Sequence, residues 1–127
     1  IEVLVFNEPE TVPPPFNSRT LIRHSPQITD VRLNGEEMAA VGKEIARRLS
    51  HTKDEAIFMI PTAGYDSYAV EGEGFYDPES DQAFVDALRA NLPDNFTIME
   101  RNTHIDDPAF ATEAAERLIK LIEKKQG

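Results

Sequence analysis

Two Asp-Pro pairs, Asp77-Pro78 and Asp107-Pro108, constrain this chain more than any other feature. Proline at the first position of a helix loses nothing, because that amide has no partner inside the helix. An aspartate just before it accepts hydrogen bonds from the next free amides. Each pair therefore predicts a helix start. Apolar positions follow at steps of three and four: Phe84, Ala87, Leu88 and Leu92 after the first pair, and Phe110, Ala114, Leu118, Leu121 and Ile122 after the second. A third start lies at Asn34, with Glu36 and Glu37 in the first turn and Arg47 and Arg48 in the last, the signs a helix dipole favours. Met38, Val41, Ile45 and Leu49 form its apolar face.

An apolar, strand-like run stands ahead of each helix: Ile1–Phe6, Ala56–Ile60 and Phe96–Arg101. Thr20–His24 is a weaker strand candidate, and Ile28–Leu33 is extended. Three strands alternating with three helices predict right-handed crossovers. The expected fold is α/β, with three layers and a mainly parallel sheet carrying helices on both faces, Rossmann-like or flavodoxin-like. At 127 residues the chain forms one domain, residues 1–127. Residues 7–18, with Pro9 and the run Pro13-Pro14-Pro15, read as a stiff connector that can be neither helix nor interior strand. Three strands are few for such a sheet, and the chain opens on Ile1 directly into a strand, so the expectation is the C-terminal part of a larger two-domain protein.

Ligands of open parallel sheets bind beyond the carboxyl ends of the strands. The long segment from Pro61 to Tyr76 lies at such an end. It contains Gly64, Gly72 and Gly74 and the aromatics Tyr65, Tyr68, Phe75 and Tyr76, and structureless loops of that length in compact domains usually bind something. Gly64 stands where the backbone must turn or approach a ligand, with Tyr65 and Asp66 beside it. The glycines form neither a dinucleotide fingerprint nor a phosphate-binding loop, and Ser67 lacks the context of a nucleophile elbow.

Two further groups lie at the same predicted rim. His104 and Asp106 have the chemistry of a general base with its orienting carboxylate, or of a nitrogen and an oxygen metal ligand, although Asp106 and Asp107 are equally accounted for as helix caps. Arg19, Arg23, His24, Ser25 and Arg32 would grip a phosphate or carboxylate, or else pair with the chain's excess acid. No metal site is assigned. The formal net charge of −10 repels phosphate backbones and anionic lipid, so nucleic acid and membrane surfaces are poor partners. No apolar run is long enough to cross a bilayer. With no cysteine there is neither thiol chemistry nor a disulfide, which fits a cytoplasmic location.

His24-Ser25-Pro26, Arg32, Glu36-Glu37, Gly64, the run Phe75-Tyr76-Asp77-Pro78-Glu79-Ser80-Asp81 and the run His104-Ile105-Asp106-Asp107-Pro108-Ala109-Phe110-Ala111 together resemble the C-terminal part of the tomato mosaic virus resistance protein family. The resemblance runs from about Val12 to Ile122. It implies a protein of two α/β halves whose N-terminal half, outside these residues, binds ATP in the plant member, which also binds and inhibits a viral replication protein. It also implies site positions at His24, Arg32, Gly64 and His104. The expected function is binding of a small anionic or phosphorylated ligand in a cleft completed by the missing N-terminal half. Two alternatives are half of an enzyme using His104 and Asp106 on a phosphorylated or carboxylated metabolite, and an assembly domain whose open edge at Ile1–Phe6 pairs with a second copy to give a homodimer.

Overall fold

The computed structural model describes all residues, Ile1–Gly127. In chain order the elements are β1 (Val3–Phe6), β2 (Leu21–Ser25), β3 (Ile28–Arg32), α1 (Gly35–Leu49), β4 (Ala56–Pro61), α2 (Pro78–Asn91), β5 (Phe96–Arg101) and α3 (Pro108–Gln126). Residues between β1 and β2, expected as a stiff connector without helix, form two short 3-10 turns, Pro9–Thr11 and Phe16–Ser18.

All three helix starts form as the caps predict. Asn34 and Glu37 make a reciprocal capping box, with both N···O distances 3.0 Å. Asp77 Oδ1 accepts from the Ser80 amide at 3.1 Å, and Asp107 Oδ1 from the Ala109 amide at 2.8 Å.

The strands pair differently from the expected mainly parallel sheet. β1, β3 and β2 form an antiparallel sheet in that order, and only β4 and β5 pair parallel. The reason is the length of the connections. Pro26 and Gln27 alone separate β2 from β3, and two residues can join only antiparallel neighbours. The stretches 20–24 and 28–33 are thus a full hairpin, which takes β1 as its third strand. β4 and β5 are joined through α2, the crossover that parallel strands require.

The main core lies between β4, α1 and α2. Ile60, Met38, Ala46, Phe84, Val85, Leu88 and Leu33 are buried there, with Phe58 and Ile98 against them. α1 buries Met38, Gly42 and Ala46 rather than its aliphatic residues, and at Gly42 it comes close to the backbone of α2. Charge enters this core as well: Glu2, Arg32 and Asp81 are all buried.

α3 departs most from its expected packing. Of the apolar stripe Phe110, Ala114, Leu118, Leu121 and Ile122, only Phe110 is buried, and Leu118 and Ile122 remain 59% and 47% exposed. Ion pairs lie at both ends of the helix. Arg101 grips Glu113 at 2.6 Å near its start, and Lys124 and Lys125 pair with Glu55 and Asp54 near its end.

Candidate functional site at the rim of β4 and β5

β4 and β5 end side by side, and their pairing continues into the loops. The Ala63 amide donates to the Thr103 carbonyl at 3.0 Å, the Ile105 amide donates to the Gly64 carbonyl at 3.0 Å, and Gly64 bridges His104 in parallel. The loop from residue 62 to 77 is therefore anchored to the turn that carries His104.

Gly64 has φ +148°, in the region that favours glycine, and a Cβ there would lie 2.8 Å from Val70 Cγ1 and 3.3 Å from the Ala69 carbonyl oxygen. Gly64→Ala should cost about 1–3 kcal/mol through overpacking and backbone strain. Limited proteolysis should then cut between residues 62 and 77 faster than in the parent protein. An unchanged cleavage rate would show that the loop absorbs the methyl group.

Midway along, the loop reaches the antiparallel sheet. Asp66 Oδ1 accepts from the Tyr68 amide at 2.6 Å, a side-chain-closed turn that aims Tyr68. The Tyr68 ring meets the edge of His24 with centroids 5.9 Å apart, its hydroxyl lies 3.3 Å from His24 Nδ1, and on the other side it packs against Phe75 at 6.4 Å. One loop thus links the turn after β5 to strand β2, through backbone at His104 and through a side chain at His24. Both histidines are exposed.

The remaining sequence candidates take other roles. Arg32 does not face the rim. It is buried, and all five of its N–H groups meet protein acceptors. Nε donates to the Phe75 carbonyl at 2.9 Å, Nη1 to the Glu2 carbonyl at 3.3 Å and to Met38 Sδ at 3.6 Å, and Nη2 to the Asp77 carbonyl at 3.4 Å and to Asp81 Oδ1 at 2.5 Å. No donor is left for a ligand. The guanidinium instead holds the Phe75 and Asp77 carbonyls at the C-terminal end of the loop. Burial pushes the Asp81 carboxyl above its ordinary value, and Arg32 beside it pulls the other way.

The guanidiniums of Arg19 and Arg23 do not converge with that of Arg32, although Arg19 Nη1 donates to the Arg32 carbonyl at 3.3 Å. Arg19 forks onto Glu37 at 2.6 and 3.1 Å and stacks over Phe16, while Arg23 bonds the Pro26 carbonyl at 3.3 Å. Ser25 Oγ accepts from the Gln27 amide at 3.3 Å and closes the hairpin turn. Tyr65 packs edge-on against Phe84 with centroids 5.7 Å apart, and burial pushes its phenol up, so it stays protonated. No hydrogen bond joins His104 to Asp106, both of which are exposed, and no three His, Asp or Glu side chains converge in a metal-binding arrangement. Asp107 does cap α3, and the Thr103 hydroxyl at 2.7 Å holds its carboxyl below the ordinary value. Asp81 was not among the sequence candidates. Its signal was an acid within the first turn or so of α2, on the side that also carries Phe84 and Leu88.

Residues 1–122 match the family model described as "Uncharacterised protein family (UPF0261) C-terminal domain". A UPF0261 protein of Clostridium tetani is 34% identical over 125 residues, which is 98% of this chain and 31% of that relative. UPF0261 protein RA0729 of Rhizobium meliloti is 37% identical over 116 residues, 90% of this chain and 29% of the relative. The tomato ToMV resistance protein Tm-1(GCR237) is 23% identical over 128 residues, 99% of this chain and 17% of the relative. The chain spans less than a third of the length of these curated relatives.

Proposed function

Since this chain belongs to the UPF0261 family as its C-terminal domain, we propose that it supplies one wall of a binding site for a small anionic or phosphorylated ligand, at the carboxyl ends of β4 and β5, where His24 and His104 flank the 62–77 loop. One observation carries this reading. The loop is tied by backbone to His104 and through Tyr68 to His24, so an exposed imidazole on β2 and another on the turn after β5 are linked by a single segment. Imidazoles supply N–H donors, and a positive charge when protonated, to a ligand oxyanion. Gly64 lets Val70 and Ala69 close against the backbone that pairs with His104. Arg32 takes part as a positioning residue, because it fixes the Phe75 and Asp77 carbonyls from beneath.

The larger part of each matched relative lies outside the region that this chain covers. The opposite wall of the cleft belongs there, and the resemblance drawn from the sequence implies a nucleotide-binding half in that part. The ligand class is accordingly a nucleotide or a phosphorylated metabolite that touches both parts. Acid–base chemistry by His104 with Asp106 has no hydrogen bond between the two in its favour and is not proposed.

The test is a thermal-shift series on the full-length protein with ATP, inorganic phosphate and phosphorylated sugars, repeated on a His24→Ala, His104→Ala double variant. A ligand at one hundred times its dissociation constant adds about 2.7 kcal/mol to stability. A shift of several degrees in the parent that disappears in the double variant is the expected result, with the unliganded variant melting within about 2 °C of the parent, since exposed side chains contribute little to stability. An equal shift in both proteins would place the ligand elsewhere, and no shift with any compound would remove the anionic class.

A further inference from the structure

β4 has a strand neighbour on one side only. The Ala56 amide donates to the Asn95 carbonyl and the Thr62 amide to the Arg101 carbonyl. With the register running from Ala56↔Phe96 to Pro61↔Arg101, the even-numbered amides of β4 turn towards β5. The amides of Ile57 and Met59 point the other way, along an edge that no strand covers, and position 61 is a proline with no amide to offer.

That edge is flanked by apolar grooves on both faces. On the side of α1 and α2, a groove of about 200 Å³ is lined by Ile45, Phe58, Ile60 and Phe84 together with Ile1. On the side of α3, one of about 340 Å³ lies between Ile57 of β4 and Ala114, Leu118 and Leu121. Met59 borders both, so the two grooves meet across the unpaired edge. Parallel strands are ordinarily covered on both faces, two-stranded sheets are marginal alone, and a bare apolar edge recruits another strand.

We infer that the free edge of β4 receives a strand from the polypeptide preceding this domain in full-length UPF0261 proteins, with alternate side chains of that strand filling the two grooves. The occupant is chosen on two observations. The bacterial relatives are more than three times the length of the segment matched here, which leaves ample chain to provide a strand. Ile1 lines one of the grooves, so a preceding segment would emerge beside the edge it is to fill. A tethered strand acts at an effective concentration near millimolar and outcompetes a second copy of the same edge. The inference is independent of any ligand at the rim, and its test uses none.

Amide hydrogen exchange on the full-length protein should find Ile57 and Met59 no more than about tenfold faster than Phe58 and Ile60, which are bonded to β5. A larger ratio means a bare edge and overturns the inference. A photoreactive p-benzoylphenylalanine in place of the exposed Leu118 identifies the occupant. Cross-links to a peptide preceding Ile1 within the same molecule are the expected product. Cross-links between isotopically labelled and unlabelled copies, or only to residues 1–127, overturn it.

Discussion

Arg32→Ala is expected to lower the unfolding free energy by about 3–5 kcal/mol, the usual cost of leaving one member of a buried ion pair alone. The size follows from what the guanidinium satisfies. Asp81 loses a charge partner at 2.5 Å, and the carbonyls of Phe75, Glu2 and Asp77 lose their donors together. Arg32→Lys should recover only part of this, because an ammonium has three donors on one atom and cannot reach acceptors spread around a planar fork. Asp81→Asn added to Arg32→Ala should cost less than the two changes separately, with a coupling of about 0.5–3 kcal/mol.

The loss in Arg32→Ala should also grow with pH. A carboxyl whose folded-state value is raised stabilises the fold while protonated. That contribution is complete below its ordinary value of 3.8 and disappears as pH rises through the folded value. Without Arg32 the Asp81 carboxyl rises further, so the deficit should be smallest near pH 4 and largest at neutrality. Urea unfolding of the parent and the variants at several pH values checks both points. A cost below about 1 kcal/mol at neutral pH, within the range of a surface pair, would mean that Arg32 and Asp81 are not buried together.

Gly42→Ala tests the closest helix contact in the domain. A Cβ at that position would lie 2.7 Å from the Phe84 carbonyl oxygen and 3.2 Å from both the Ala87 Cβ and the Leu88 amide nitrogen. Two of these three are backbone atoms of α2, so no side-chain rotation relieves the clash. The helices must separate, and that loosens the packing of Met38 against Phe84 and Leu88. Overpacking of this kind costs about 1–3 kcal/mol. The better helix propensity of alanine offsets up to about 1 kcal/mol of it. A net loss of about 1–2 kcal/mol is the expected outcome. Gly35→Ala in the same helix is the control, because its Cβ would meet nothing closer than 3.7 Å, and its effect should stay within about 0.5 kcal/mol. Equal stability of the two variants would remove the claim that Gly42 sets the distance between α1 and α2.

Both predictions concern residues whose type was plain in the sequence but whose role was not. Arg32 was expected at a ligand. It went to the core because β3, the strand that carries it, lies between β1 and β2, and an arginine at the end of a central strand points at whatever packs beneath it. What lies beneath is the first part of α2 with Asp81, about fifty residues further along the chain. Gly42 carried no signal at all, since a glycine in a helix is informative only once a second helix is laid across it.

The helix starts were legible. Asn34, Asp77 and Asp107 start their helices where they stand, because a cap needs only a side-chain oxygen and the amides two or three residues on. The sequence alone thus determined where the helices begin, that β1, β4 and β5 are strands, and that a loop rich in glycine and aromatics follows β4. Tertiary structure decided how the strands pair, which of the charged residues are buried, and that the aliphatic stripe of α3 stays largely uncovered within these residues. The physical reason is range: caps and periodicity act over a few residues, whereas strand pairing and burial depend on partners brought together from distant parts of the chain.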